Sequence, residues 1–290
     1  MKLVVKFNLV FVVVFLAGFA ASGLLSWQVL QQNARDEIVQ NARIMMEAAS
    51  AVRTYTNTQI KPLLATQMKY EFLPQSVPAY GAQETFETLR QNHPEYIYKE
   101  ATLNPTNPRD RATDWESDVV NLFRNTADQP ELIGMRDTPQ GESLYLARPI
   151  RIKSPGCLQC HSTVDAAPKT MIARYGNANG FGWQLEEVIG AQIVSVPTSV
   201  PFERAKQTFI LFMGSLAGVF AFIFIALNLL LNALVIRPVN QLARVADEVS
   251  LGNLEAGELE AHGHDEISQL TQAFGRMKKS LVQAFRMIEE

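Results

Sequence analysis

Two long uncharged apolar stretches constrain this chain of 290 residues more than any other feature. The segment 7–25 ("FNLVFVVVFLAGFAASGLL") is apolar except for Asn8 and Ser22, and 208–236 contains "FILFMGSLAGVFAFIFIALNLLLNALVI" without one charge. A helix of about 20 residues crosses a hydrocarbon core, whereas a helix apolar on every side has nowhere to hide in water. Two transmembrane helices are therefore predicted. The first could be a cleaved leader, but its apolar run exceeds a usual signal core and "SWQVLQQNARDE" continues in helical character, which favours an anchor.

Flanking charge sets the sides. Lys2 and Lys6 precede the first span, and Arg237 and Arg244 follow the second. Basic residues favour the cytoplasmic face, so both ends are expected in the cytoplasm and the residues between the spans outside it. Arg204 and Lys206, on the outer flank of the second span, weaken that asymmetry. The expected layout is a cytoplasmic N-terminus with a first span over 1–26, an outer domain over 27–207, a second span over 208–236 and a cytoplasmic module over 237–290. The expected location is a bacterial inner membrane, with the outer domain in the periplasm and lipid as a partner. A net charge of −3 with 19% charged residues argues against a nucleic-acid partner.

Within the outer segment, Leu30, Ala34, Ile38, Ala42, Met45 and Ala49 recur at helical steps. They predict a long helix over about 27–67 that Pro62 kinks or ends. A short helix is expected over about 80–91. Alternation across Tyr96–Ala101 reads as a strand, which "NPTNP" (104–108) breaks. Asp114 to Asn125 is a helical candidate, and 143–152 and 187–197 read as strands. Strands parted by helices and loops, without a βαβ rhythm, predict an α+β domain with one antiparallel sheet.

The chain holds two cysteines, and both lie in "SPGCLQCHSTVDAAP" (154–168), with His161 directly after Cys160. Pro155-Gly156 suggests that the pair sits on a loop. A structural zinc site needs four ligands, and no third cysteine exists, while His93, His262 and His264 are distant in sequence. A disulfide oxidoreductase places its first cysteine at a helix start within a βαβ fold. A four-residue disulfide loop stabilises little. C-x-x-C-H is also the attachment signature of c-type haem: each thiol takes one vinyl group and the adjacent imidazole binds the iron as proximal ligand. Such attachment occurs outside the cytoplasm, in agreement with the charge-based topology, and one haem c is the expected cofactor.

Buried propionates need donors, and Arg53, Tyr55, Arg148, Arg151 and Lys153 are candidates. Trp183, Phe181 and Tyr175 could wall the macrocycle. For the sixth iron position Met45 or Met46 is the leading candidate, with Met68 and His93 behind; a vacant position is an equal alternative. No catalytic residue is assigned.

"YIYKEATLNPTNPRDRATDWE", "LYLARPIRI", "GCLQCH", "YGNANGFGW" and "GAQIVSVP" occur in an order that resembles the Tll0287-like domain over essentially 27–205. The resemblance implies a PAS-like fold with one covalent haem c, attached through Cys157 and Cys160, with His161 proximal. Some members supply a second axial cysteine, which this sequence lacks.

After the second span, "RPVNQLARVADEV", "LGNLE" and "HDEISQLTQAFGRMKKSL" resemble the first helix, connector and second helix of a HAMP domain. Pro238 suits a first helical turn, and Asp265 suits an N-cap. Ile267, Leu270, Phe274, Met277, Leu281, Ala284 and Ile288 form a 3-4 seam that asks for a partner helix. The resemblance implies a parallel bundle from two chains. A haem-based receptor with a homodimeric HAMP relay and a separate cytoplasmic output partner is the expected function. The alternative is a membrane-tethered monohaem cytochrome for electron transfer, and haem enzyme chemistry ranks last. No kinase, cyclase or methyl-accepting region follows the second HAMP helix.

Overall fold

The computed structural model describes residues 3–126, 128–139, 141–253, 257 and 263–289. Lys2, Leu254, Glu255, His262 and the side chain of Ile288 lie outside them. The chain divides into two compact units, Met1–Ser26 with Phe209–Glu290, and Trp27–Thr208.

In the first unit, α1 (Leu3–Tyr55) contributes its apolar N-terminal part, beside α7 (Ser199–Leu231). Both helices are long and apolar enough to cross a membrane. Phe15 stacks on Phe220, ring centroids 5.0 Å apart at 12°, so the two apolar helices touch through aromatic faces. A π turn (Asn232–Ile236) follows α7 and leads into α8 (Arg237–Ser250), with Pro238 in its first turn. The polar connector ends at α9 (Glu266–Glu289), which Asp265 caps: Oδ1 accepts the Ser268 N–H at 2.8 Å. Leu242, Val245 and Val249 are buried, and Phe274 of α9 packs on the last two. Leu270, Met277 and Leu281 of the seam stay exposed.

The second unit is a four-stranded antiparallel sheet with helices on both faces. β1 (Ile97–Thr102), β2 (Leu132–Thr138), β3 (Gly141–Arg151) and β4 (Val188–Pro197) lie in the order β1-β4-β3-β2. Three strands match the sequence expectation. β2 was not expected, because "MRDT" on the sheet edge lacks the apolar alternation of a half-buried strand. Strand alternation sends Tyr98, Leu144, Leu146, Val194 and Val196 to one face. There they meet Ile38, Ala42, Met46 and Ala49 of α1 and Phe86 of α3 (Pro78–Arg90). Ala101, Ala147, Ala191 and Ile193 face Val119, Val120 and Phe123 of α4 (Asp114–Asn125). A capping box between Thr113 and Glu116 starts α4.

The long helix does not simply kink at Pro62. α1 gives way to a π turn (Thr56–Ile60), and Pro62 falls in the first turn of α2 (Lys61–Leu64), where its missing N–H costs least.

The face toward α1 also carries a row of polar residues in register across three strands, Glu100, Gln192 and Arg148. Arg53 of α1 pairs with Glu100 at one end of the row. Glu47 of α1 pairs with Arg148 at 2.6 Å at the other end. Between them the Tyr98 hydroxyl donates to Glu100 (2.7 Å) and accepts from Gln192 Nε2 (2.8 Å). Burial pushes the Tyr98 pKa up, and the Glu100 charge pushes it further, so the hydroxyl keeps its proton.

Candidate functional site

The cysteine pair lies on a helix, α5 (Pro155–His161), where a loop was expected. The signals were present: Ser154 is an N-cap whose Oγ accepts the Gly156 N–H at 3.2 Å, and Pro155 occupies the first turn. Helical spacing puts Cys157 and Cys160, three residues apart, on one face. Both thiols are free and half-buried. Burial raises the Cys160 pKa, the Lys61 ammonium opposes that rise, and Cys157 adds to it. Cys160 packs beside Phe72, Ala167 and Met171, with Met68 and Phe181 flanking them.

His161 ends α5 in a built setting. Its Nδ1 lies 2.8 Å from the Gly180 carbonyl and 3.4 Å from Thr106 Oγ1. A carbonyl only accepts, so Nδ1 carries the proton and Nε2 keeps its lone pair. Burial lowers the His161 pKa and the Gly180 bond partly offsets it, which favours the neutral ring. Trp183 stacks on the imidazole at 3.9 Å and 15°. The Trp183 N–H donates to the His161 carbonyl at 3.1 Å, and the Gly182 N–H to the Ser162 carbonyl at 2.9 Å, tying "NGFGW" to the end of α5.

Asn104 holds the same loop from the opposite side. Its Oδ1 accepts the Gly180 N–H at 3.0 Å, and its Nδ2 donates to the Phe181 carbonyl at 3.1 Å. Gly180 has φ +86°, and a Cβ there would collide with Thr106, so the close approach requires glycine. In the sequence "NPTNP" reads as a strand break and as part of the family motif, with no role at the site assigned to its residues. Asn104, Thr106 and Gly180 were missed, although turn-forming asparagines each followed by a proline are the sort of rigid polar loop that can buttress a site.

The remaining sequence candidates are dispersed. Arg53 is held by Glu100, whose charge and hydrogen bond outweigh the burial of the guanidinium and leave its pKa raised. Arg148 binds Glu47 at 2.6 Å and Glu131 at 3.1 Å. Both arginines thus serve the α1–sheet contact. Arg151 Nη1 donates to the Glu186 carbonyl at 3.0 Å, and Tyr55 is 58% exposed. Met46 is fully buried in the core of α1, α3 and the sheet, with Met45 packed against that core. Neither belongs to the cluster around Cys160, whereas Met68 does. The Met68 sulfur accepts the Leu73 N–H at 3.1 Å.

The donor set suits a c-type haem: two free thiols on one helical face, and next to them a neutral imidazole with Nδ1 engaged and Nε2 available.

The Tll0287-like family model matches residues 31–197, more than half of the chain, and the HAMP domain model matches 230–283. No curated protein matches the chain. A solved structure titled as the crystal structure of the cyanobacterial heme-protein Tll0287 aligns at 14% identity, covering 56% of this chain and 95% of that one, with a TM-score of 0.43. By the family match over 31–197, this chain belongs to the Tll0287-like family and carries a HAMP domain beyond it.

Proposed function

We propose that the chain is a membrane-bound signal-transduction receptor whose Tll0287-like domain holds one covalent haem c. Cys157 and Cys160 provide the two thioether bonds, and His161 presents Nε2 as the proximal ligand. The observation that carries this reading is the 2.8 Å bond from His161 Nδ1 to the Gly180 carbonyl, one residue after two free thiols on the same helix. When bound, a haem iron there supplies a one-electron centre whose ligation answers to redox state or to a small ligand.

The chain's own residues do the rest. Ser154 and Pro155 start α5 and so set the two thiols on one side. Gly180 and Trp183 fix the rotation of the imidazole. Arg53, Tyr55, Arg148 and Arg151 are the proposed propionate contacts; Arg53 and Arg148 also bind carboxylates, and Arg151 the Glu186 carbonyl. Met68, Met45 and Met46 are the proposed choices for a sixth ligand, and Met68 is favoured by its place beside Cys160. In this reading the domain faces the periplasm, and HAMP, in the cytoplasm, pairs with a second copy through the exposed Leu270, Met277 and Leu281. A signal reaches HAMP only to the extent that the stimulus favours one packing of the receptor over another. HAMP in the same chain favours a receptor over a tethered electron carrier.

The test is the full chain made in cells competent for cytochrome maturation. Expected are the added mass of one haem, a Soret band, and a change in HAMP-helix crosslinking between oxidised and reduced samples. Mature protein without added mass and Soret band overturns the haem assignment. Crosslinking that changes neither on reduction nor on addition of a small haem ligand such as carbon monoxide overturns the receptor assignment.

A further inference from the structure

We propose that Asn104 is the positioning residue that sets the electron donation of His161, acting through the Gly180–Phe181 peptide. This rests on the haem reading above and names what regulates the same site. Asn104 spends both ends of its amide on one short stretch of loop, with Oδ1 on the Gly180 N–H (3.0 Å) and Nδ2 on the Phe181 carbonyl (3.1 Å). The Gly180–Phe181 peptide lies between these two held groups, and its carbonyl accepts from His161 Nδ1 at 2.8 Å.

Three features make the clamp stiff. Asn104 follows directly on β1 and its neighbour Leu103, whose N–H donates to the Ile189 carbonyl at 3.3 Å, so it is anchored to the sheet. Pro105 fixes the backbone beyond it. Gly180 takes a conformation and a closeness to Thr106 that other residues cannot.

The physical consequence is electronic. A firm Nδ1–H···O=C bond makes an imidazole a stronger donor through Nε2. A stronger donor stabilises the oxidised metal. Releasing the Gly180 carbonyl weakens that donation and favours the reduced form. Thr106, at 3.4 Å, is a poorer acceptor and cannot replace the carbonyl.

The experiment is a redox titration of the full-length haem-loaded chain, wild type against Asn104→Ala. At a fixed potential the reduced-to-oxidised ratio should rise roughly tenfold in the variant, within the range that outer-shell changes produce; for one electron this is 59 mV. Haem content and Soret intensity should be unchanged. If the alanine variant fails to accumulate, Asn104→Ser, whose hydroxyl on Cβ is shorter than the amide and reaches neither loop group, should shift the ratio in the same direction. Amide exchange of 175–183 should quicken in either variant. A haem-loaded variant with an unmoved potential overturns the role of Asn104 alone. Wild-type protein without covalent haem overturns the haem reading and this inference together.

Discussion

Arg53 near the end of α1 and Glu100 in the middle of β1 form a partly buried ion pair that joins the long helix to the sheet. Glu100 is 4% exposed, and its carboxylate also accepts from the Tyr98 hydroxyl. The second tie, Glu47 to Arg148, has the charges reversed between helix and sheet. A helix that slid or turned would bring no complementary partners into place, so the two pairs select one register of α1 on the sheet. Their energetic role is specificity as much as stability, since a buried pair regains at best its desolvation cost.

Glu100→Gln should therefore be costly, because it strands the Arg53 charge. We expect a loss of about 3 kcal/mol, read as a lower thermal midpoint by tryptophan fluorescence of the full chain. Replacing both partners with methionine should recover most of that loss. A double variant as unstable as the single one would contradict this account.

Asp110 gives the domain a pH dependence. Burial lifts its carboxyl pKa to about 6, against the neighbouring Gln83 amide and the charge of Arg109, with Glu100 adding to the rise and Lys99 opposing it. The folded state thus holds a proton that the unfolded chain releases near pH 4. Stability should fall as pH rises from about 4 through about 6 and then level off, by about 1–2 kcal/mol in view of partial solvent access. Asp110→Asn should flatten that slope and be the more stable form at pH 8. Thermal midpoints across this range would show it.

Gly180→Ala should distort the His161 support. The positive φ alone costs about 1 kcal/mol or more, and the collision with Thr106 adds to it. The expected outcome is a lower thermal midpoint with reduced haem incorporation. The control Gly182→Ala, at φ +81° with open space around its Cβ, should cost only the backbone term.

In HAMP, Leu270→Asp and Met277→Asp should weaken self-association without unfolding α9. Both side chains are exposed in the single chain and lie on the seam face. Analytical ultracentrifugation in detergent, with crosslinking as a second reading, should show the dimer lost. An unchanged dimer would move the contact elsewhere.

Local sequence signals specify the two apolar helices, the span of α4, three of the four strands, the capped α9 and the motif that joins the thiols to His161. These are local: a run of apolar side chains, a period of two or of 3.6, a cap beside its helix, a motif of five consecutive residues. Tertiary structure decided what depends on residues far apart in the chain. β2 forms because β3 offers it a ladder, not because its own residues favour a strand. Arg53 and Arg148 turn to carboxylates 47 and 101 residues away, which no spacing rule anticipates. The support of His161 comes from Asn104, 76 residues before the glycine it holds. A hydrogen bond depends on distance and angle between groups that only folding brings together, so the Cys-x-x-Cys-His motif is visible in the sequence and the groups that orient its imidazole are not.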